Sequence, residues 1–182
     1  MTPTILIVPG LRDHVPAHWQ TRLQASLPDA VSVPHLERDK LICEARVAAL
    51  NAALERIDGP VILVAHSAGV MITVHWAQRH SRALHGALLA TPPDLETPMP
   101  AGHSSMEVLE QNGWLPIPRT RLPFPSIVAA SRNDPLASYR RVQTMADQWG
   151  SRVVDLGEVG HLNPASGFGE WPLARHLIRE LM

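Results

Sequence analysis

Val61-Ile62-Leu63-Val64-Ala65-His66-Ser67-Ala68-Gly69 is the stretch whose reading decides the fold. Its first five residues form an unbroken apolar run rich in β-branched side chains, which marks a strand covered on both faces. Val70 to His80 follows at once with helical spacing, so a strand turns sharply into a helix at Ser67. The same alternation extends in both directions along the chain. Ile5-Leu6-Ile7-Val8 is a strand closed by Pro9-Gly10, and Ala87-Leu88-Leu89-Ala90 and Ser126-Ile127-Val128-Ala129-Ala130 are further strands. Ala30-Val31-Ser32-Val33 and Arg152-Val153-Val154-Asp155 are weaker candidates. Between them, Leu41, Ala45, Ala48, Ala49, Ala52, Ala53 and Ile57 repeat at three- and four-residue spacing, with Asp39 and Asp58-Gly59 as start and stop signals. Leu136 to Gly150 and Trp171-Pro172 to Leu181 complete the set of helices. Strands alternating with helices build an α/β protein of three layers, its mostly parallel, doubly wound sheet holding about six strands.

The whole chain fits one domain. It has 182 residues, 45% of them hydrophobic and 18% charged, a globular balance that excludes long disorder. Lys and Arg number 16 against 17 Asp and Glu, for a formal charge of -1. That leaves no positive field to hold a nucleic acid. No apolar run reaches the roughly 20 residues that cross a bilayer. Cys43 is the only cysteine, so an internal disulfide is impossible, and the first residues lack the basic region of a secretory signal. Both features point to a cytoplasmic protein.

Proline interrupts the pattern in one place. Eight of the 17 prolines, Pro92, Pro93, Pro98, Pro100, Pro116, Pro118, Pro123 and Pro125, fall within residues 92–125. Only Ser104 to Gln111 can form a short helix there, with Ser104 or Ser105 as its cap. Such a stretch inside a compact domain is expected to be an ordered flap or binding loop over Ser67, with Trp114, Leu115 and Ile117 holding it down.

Ser67 has the setting of a hydrolase nucleophile elbow, a serine on a tight strand-to-helix turn flanked at -2 and +2 by small residues. Gly69 fits the +2 position, and Ala65 stands at -2 where the pattern has glycine. A serine capping an ordinary helix would look the same, so the weight falls on its partners. In this fold an acid and then a histidine follow the serine, on loops after late strands. Asp134 follows the Ser126-Ala130 strand, and His161 follows the last strand candidate. Serine needs a base to take its proton, imidazole does so near neutral pH, and a buried aspartate fixes the ring. The Ala68 and Leu11 N–H groups are the candidate oxyanion donors, one behind the elbow and one after the first strand. His66 is expected to shape the pocket, and Trp114 and Phe168 are candidates either for its apolar wall or for core residues that anchor a loop. Arg12 and Asp13 read as a surface pair, and Asp155 as a rival acid with little room to turn. His14 and His18, four apart, have no third ligand pattern beside them, so no metal is expected.

Several of these stretches together resemble the YdeN-like small serine hydrolases, relatives of the human retinoblastoma-binding serine hydrolase. They are Pro9-Gly10 with His18-Trp19-Gln20, His66-Ser67-Ala68-Gly69, Leu122-Pro123-Phe124-Pro125-Ser126 leading to Asn133-Asp134-Pro135, and Gly160-His161-Leu162-Asn163-Pro164-Ala165-Ser166-Gly167 with Trp171-Pro172. The resemblance implies a minimal α/β-hydrolase without a large cap domain, and a triad at Ser67, His161 and Asp134. It does not extend to the retinoblastoma-binding motif, Leu-x-Cys-x-Glu. In Leu41-Ile42-Cys43-Glu44 the glutamate comes one position early, and Cys43 reads as a small apolar helix residue.

The expected activity is hydrolysis of small carboxylic esters through an acyl-enzyme, with a small-molecule acyl substrate and no cofactor. An amidase or peptidase-like reaction would use the same three residues. A non-catalytic interaction protein would keep the fold and have lost catalysis, although all three positions are intact here.

Overall fold

The structure is a computed structural model that describes residues 2–182. Six strands form one sheet, β1 (Thr4–Val8), β2 (Ala30–Ser32), β3 (Val61–His66), β4 (Gly86–Ala90), β5 (Ser126–Ala130) and β6 (Arg152–Asp155). Their order is β2-β1-β3-β4-β5-β6 and every neighbouring pair is parallel. The four inner strands are the continuous apolar runs. β2 and β6, the edges, are short and only partly buried, which is why their sequence signals are weak.

The helices are α1 (Trp19–Ala25), α2 (Cys43–Glu55), α3 (Ala68–Arg79), α4 (Met106–Gln111), α5 (Tyr139–Trp149) and α6 (Leu173–Glu180). Alternate strand residues face opposite ways, so the sheet divides the core in two. Leu6, Leu63, Leu89 and Val128 pack with α2, α3 and α5. Ile5, Ile62, Leu88 and Ile127 pack with α1 and α6. The result is a three-layer α/β fold without a large cap domain. Among the described residues no helix is long and apolar enough to cross a membrane.

Two helices depart from expectation. α1 carries no clear signal in its residues, because it is seven residues long and one of its three buried residues is the polar Gln20. In α2 the buried face is Cys43, Arg46, Val47, Leu50 and Leu54, whereas Ala48 and Ala52 of the alanine repeat are exposed. Larger side chains bury more apolar area, about 25 cal/mol for each Å², so they claim the interior ahead of alanine. The helix starts after Ile42 rather than at Asp39, which takes a positive φ of 54° in the preceding turn. Cys43 is fully buried, as a small apolar residue would be, and burial pushes its thiol up to about 11.

The proline-rich stretch is tied down at several points. Asp94, almost wholly buried, takes two hydrogen bonds from Arg141 of α5, at 2.9 and 3.0 Å. Glu96 accepts from Arg141 and Arg119 at 2.9 and 2.8 Å. Trp149 Nε1 donates to the Pro118 carbonyl at 2.7 Å, and Ser105 caps α4 through the Val108 amide. By Pro125, whose carbonyl accepts from Ala87, the stretch has returned to the amino end of the strands, whereas its first part, from Pro93 to Leu109, lines the cavity beyond their carboxyl ends.

The order of the sheet explains why. From β1 the chain steps outward to β2, then crosses back to β3 and proceeds the other way. Connections leave β1 and β3 on opposite faces, which opens a crevice beyond their carboxyl ends.

Candidate active site

Ser67 is the first residue beyond β3 and has φ 56° and ψ -124°, a conformation that L-residues rarely adopt. Such backbone strain is on the order of 1–3 kcal/mol and persists where the surroundings enforce it. Here they do: the Ser67 amide donates to the Ala90 carbonyl of β4 at 3.0 Å, and its carbonyl accepts from Val70 at 2.9 Å. Gly69 cannot be larger, since a Cβ there would lie 2.1 Å from the Val8 carbonyl oxygen and 2.9 Å from that of Pro9. The turn is therefore held against the end of β1. Gln20 clamps the same place, with Nε2 donating to the Val8 and Val64 carbonyls at 3.2 and 2.9 Å.

His161 Nε2 lies 2.9 Å from Ser67 Oγ, and its Nδ1 lies 2.9 and 3.0 Å from the two carboxylate oxygens of Asp134. A carboxylate accepts, so Nδ1 carries the proton and Nε2 is free to accept from the serine hydroxyl. The Asp134 and His161 side chains are 2% and 8% exposed, so little water competes for the bond between them. Asp134 also accepts from the Leu136 amide at 2.9 Å, which fixes the carboxylate in its turn.

Local sequence holds the histidine. Gly160 takes a positive φ of 58°, and a Cβ there would stand 2.5 Å from Ser166 Oγ. Its amide donates to Asn133 Oδ1 at 2.7 Å, tying the histidine loop to the aspartate loop. The His161 amide donates to Ser166 Oγ at 3.1 Å, and that hydroxyl donates to Asn163 Oδ1 at 2.8 Å. Asn133, Gly160, Asn163 and Ser166 thus form one network around His161.

His66 and His18 extend this group as neighbouring rings. The His18 and His66 centroids are 4.6 Å apart, and those of His66 and His161 are 5.0 Å apart. His66 Nε2 donates to the His161 carbonyl at 2.9 Å. Burial, and then the proximity of His161 and His18, push the His66 imidazole well below its usual range. Burial and then His161 push His18 down to about 4. Both rings are held neutral beside His161.

Leu11 and Ala68 both line the cavity in front of Ser67, whose volume is about 290 Å³. Ala68 opens α3, so its N–H has no acceptor within the helix. The Leu11 amide makes no hydrogen bond among the described residues. Gly10 brings their loops together, since a Cβ on it would stand 3.9 Å from the Ala68 nitrogen. Arg46 of α2 holds the first loop, donating to the Leu11 carbonyl at 3.3 Å and pairing with Asp13. Asp13 is therefore the partner of Arg46 rather than of Arg12, because the buried guanidinium needs a counter-charge.

The structure also places the remaining candidates, and neither Trp114 nor Phe168 is a wall residue. Trp114 is 1% exposed and away from the cavity, with Nε1 donating to the Leu41 carbonyl at 2.6 Å, so it anchors the proline-rich stretch in the core. Phe168 also stands outside the cavity and packs on the α1/α6 side. The apolar wall comes instead from Leu95, Met99, Leu109 and Leu136. Asp155 pairs with Arg132 at the surface rather than with His161. His14 lies in a loop ahead of α1, so its spacing from His18 does not put both on one helix face.

A sequence profile described as "Serine hydrolase" matches residues 5–180. The chain belongs to this serine hydrolase family. A protein from Pectobacterium atrosepticum named as a YdeN-like hydrolase is 30% identical to the hydrolase described above, at a TM-score of 0.83, and the match covers 99% of this chain and 90% of that one. The ydeN product of B. subtilis matches at 18% identity and a TM-score of 0.77, covering 99% of this chain and 98% of that one. Est1E from Butyrivibrio proteoclasticus, solved with ferulic acid bound, matches at 10% identity and 0.73, over 99% and 89% of the chains, and shows a shared fold. A search of curated proteins gives no match. The hydrolase is thus a YdeN-like member of its family.

Proposed function

We propose that the protein hydrolyses small carboxylic esters through an acyl-enzyme. The observation that carries this is the hydrogen-bonded chain from Ser67 Oγ through the His161 ring to Asp134, with both links at 2.9 Å. Ser67 Oγ attacks the ester carbonyl while His161 Nε2 takes its proton, and Asp134 stabilises the imidazolium that forms. The Ala68 and Leu11 N–H groups receive the negative charge on the carbonyl oxygen. His161 then protonates the departing alcohol, and a water activated by the same ring cleaves the acyl-serine bond. The limited cavity, walled by Leu95, Met99, Leu109 and Leu136, supports a small ester substrate.

A fluorophosphonate probe tests the nucleophile. It is expected to label the intact protein and to leave Ser67→Ala unlabelled; labelling of that variant at the parental level would remove Ser67 from the mechanism. His161→Ala is expected to lower turnover of p-nitrophenyl esters by about 10³-fold or more. Near-parental turnover would exclude His161 as the base. Rates on an ester and an amide of the same acyl group separate esterase from amidase activity.

A further inference from the structure

His18 has a role that neither the fold nor the proposed reaction accounts for. It caps α1, its Nδ1 accepting the Gln20 amide at 3.2 Å. An accepting nitrogen carries no proton, so the neutral ring holds its hydrogen on Nε2. The residue is 9% exposed, and burial together with the nearness of His161 keeps the ring uncharged at neutral pH. The Nε2–H group meets no protein acceptor among the described residues. It is not sealed away either, since Trp19 Nε1 is the only side-chain nitrogen or oxygen among them both enclosed and unpartnered. His18 lines the cavity in front of Ser67, where an accessible Nε2–H can meet a ligand.

The neighbouring polar groups are already engaged. The Gln20 amide serves Val8 and Val64, His66 serves the His161 carbonyl, Asp13 is paired with Arg46, and Asn163 Oδ1 holds Ser166. An unused donor in a largely apolar cavity loses its water when a ligand enters, and must be met by an acceptor on that ligand. The ligand's charge is also constrained. A carboxylate there would be stripped of water beside a neutral ring, with the exposed Arg12 the only Arg or Lys lining the cavity. The location picks out one side of the substrate. A departing alcohol must reach His161 Nε2, whereas the ring His18 neighbours is His66, at a centroid distance of 4.6 Å, and His66 in turn neighbours His161 at 5.0 Å.

We infer that His18 Nε2–H donates to an uncharged oxygen in the acyl part of the substrate, so that the enzyme prefers acyl groups bearing a hydroxyl, ether or keto oxygen to plain alkyl ones. This rests on the esterase reading and narrows its substrate class.

p-Nitrophenyl butyrate and p-nitrophenyl methoxyacetate form a suitable pair, because an ether oxygen replaces one methylene in a chain of equal length. The ratio of their kcat/KM values, divided by the ratio of their rates of hydroxide hydrolysis, is expected to favour the methoxyacetate by about tenfold in the parent. His18→Ser keeps a hydroxyl to cap α1 but removes the donor from the cavity, and the preference is expected to disappear. His18→Asn, which retains both a capping oxygen and a short N–H donor, is expected to keep part of it. A parental preference no greater than intrinsic reactivity overturns the inference, whether or not the variants fold. A preference that survives intact in a folded His18→Ser overturns it too. If the fluorophosphonate probe leaves Ser67 unlabelled, the esterase reading fails and this inference falls with it; a labelled Ser67 without the preference rejects the inference alone.

Discussion

Ser67, Gly69 and the groups around His161 show how single residues set the chemistry. At position 69 the limit is steric: alanine would drive its Cβ into the Val8 carbonyl at 2.1 Å, and that backbone cannot give way without moving β1. Gly69→Ala is therefore expected to cost about 3 kcal/mol or more of stability, read from the urea midpoint. At Asn163 the limit is positional. Its carboxamide holds Ser166, whose hydroxyl accepts the His161 amide, so Asn163→Ala should leave the ring free to drift. We expect kcat on p-nitrophenyl esters to fall about 10- to 100-fold with little change in KM, because ångström displacements of a reacting group cost that much. Restored turnover in Asn163→Asp, which keeps the accepting oxygen, would separate this positioning role from a loss of folding. The residues of this network stand in the sequence as the run from Gly160 to Gly167, but the bonds that give the run its purpose become visible only in the fold.

Elements act here by bringing distant segments together. α2 contributes Arg46, 4% exposed, whose guanidinium pairs with Asp13 and donates to the Leu11 carbonyl across 35 residues of chain. A helix on the flank of the sheet thereby fixes the loop that bears a proposed oxyanion donor. Arg46→Met leaves Asp13 without its counter-charge and is expected to lower stability by about 3–5 kcal/mol. Adding Asp13→Asn should recover part of that loss in denaturant unfolding, since the stranded charge is then gone. The proline-rich stretch is held similarly, by Arg141 and Trp149 of α5. Its composition announces an irregular element, yet composition does not tell its wall-forming residues from its anchors. Trp114 is an anchor and Leu95, Met99 and Leu109 form the wall, a division set by which way the loop turns at each step.

Across the whole molecule, the buried histidines link stability to pH. His18 has a folded-state pKa near 4 against 6.5 for a free imidazole, and His66 is shifted in the same direction. The unfolded chain therefore binds more protons than the folded one at mildly acidic pH. Stability is full above about pH 6.5 and declines as the pH falls from there toward 4. Calorimetry at pH 7 and pH 5 should give a lower Tm at pH 5, and His18→Ser should flatten that dependence. An unchanged Tm in the parent would mean that these rings are not held neutral by the fold.

The sequence by itself determined the class of fold. Continuous apolar runs for the inner strands, helical spacing between them and the turn at Ser67 are local properties, and each can be read without knowing what lies beside it. It also marked Ser67, Asp134 and His161 as residues at the ends of strands. Only the tertiary structure decided which face of α2 is buried, which residues line the cavity and that His18 stands with a free donor inside it. Those outcomes depend on contacts between segments far apart in the chain. Burial and pairing are properties of a neighbourhood, and a neighbourhood exists only after β1 and β3 lie side by side and their loops turn toward one crevice.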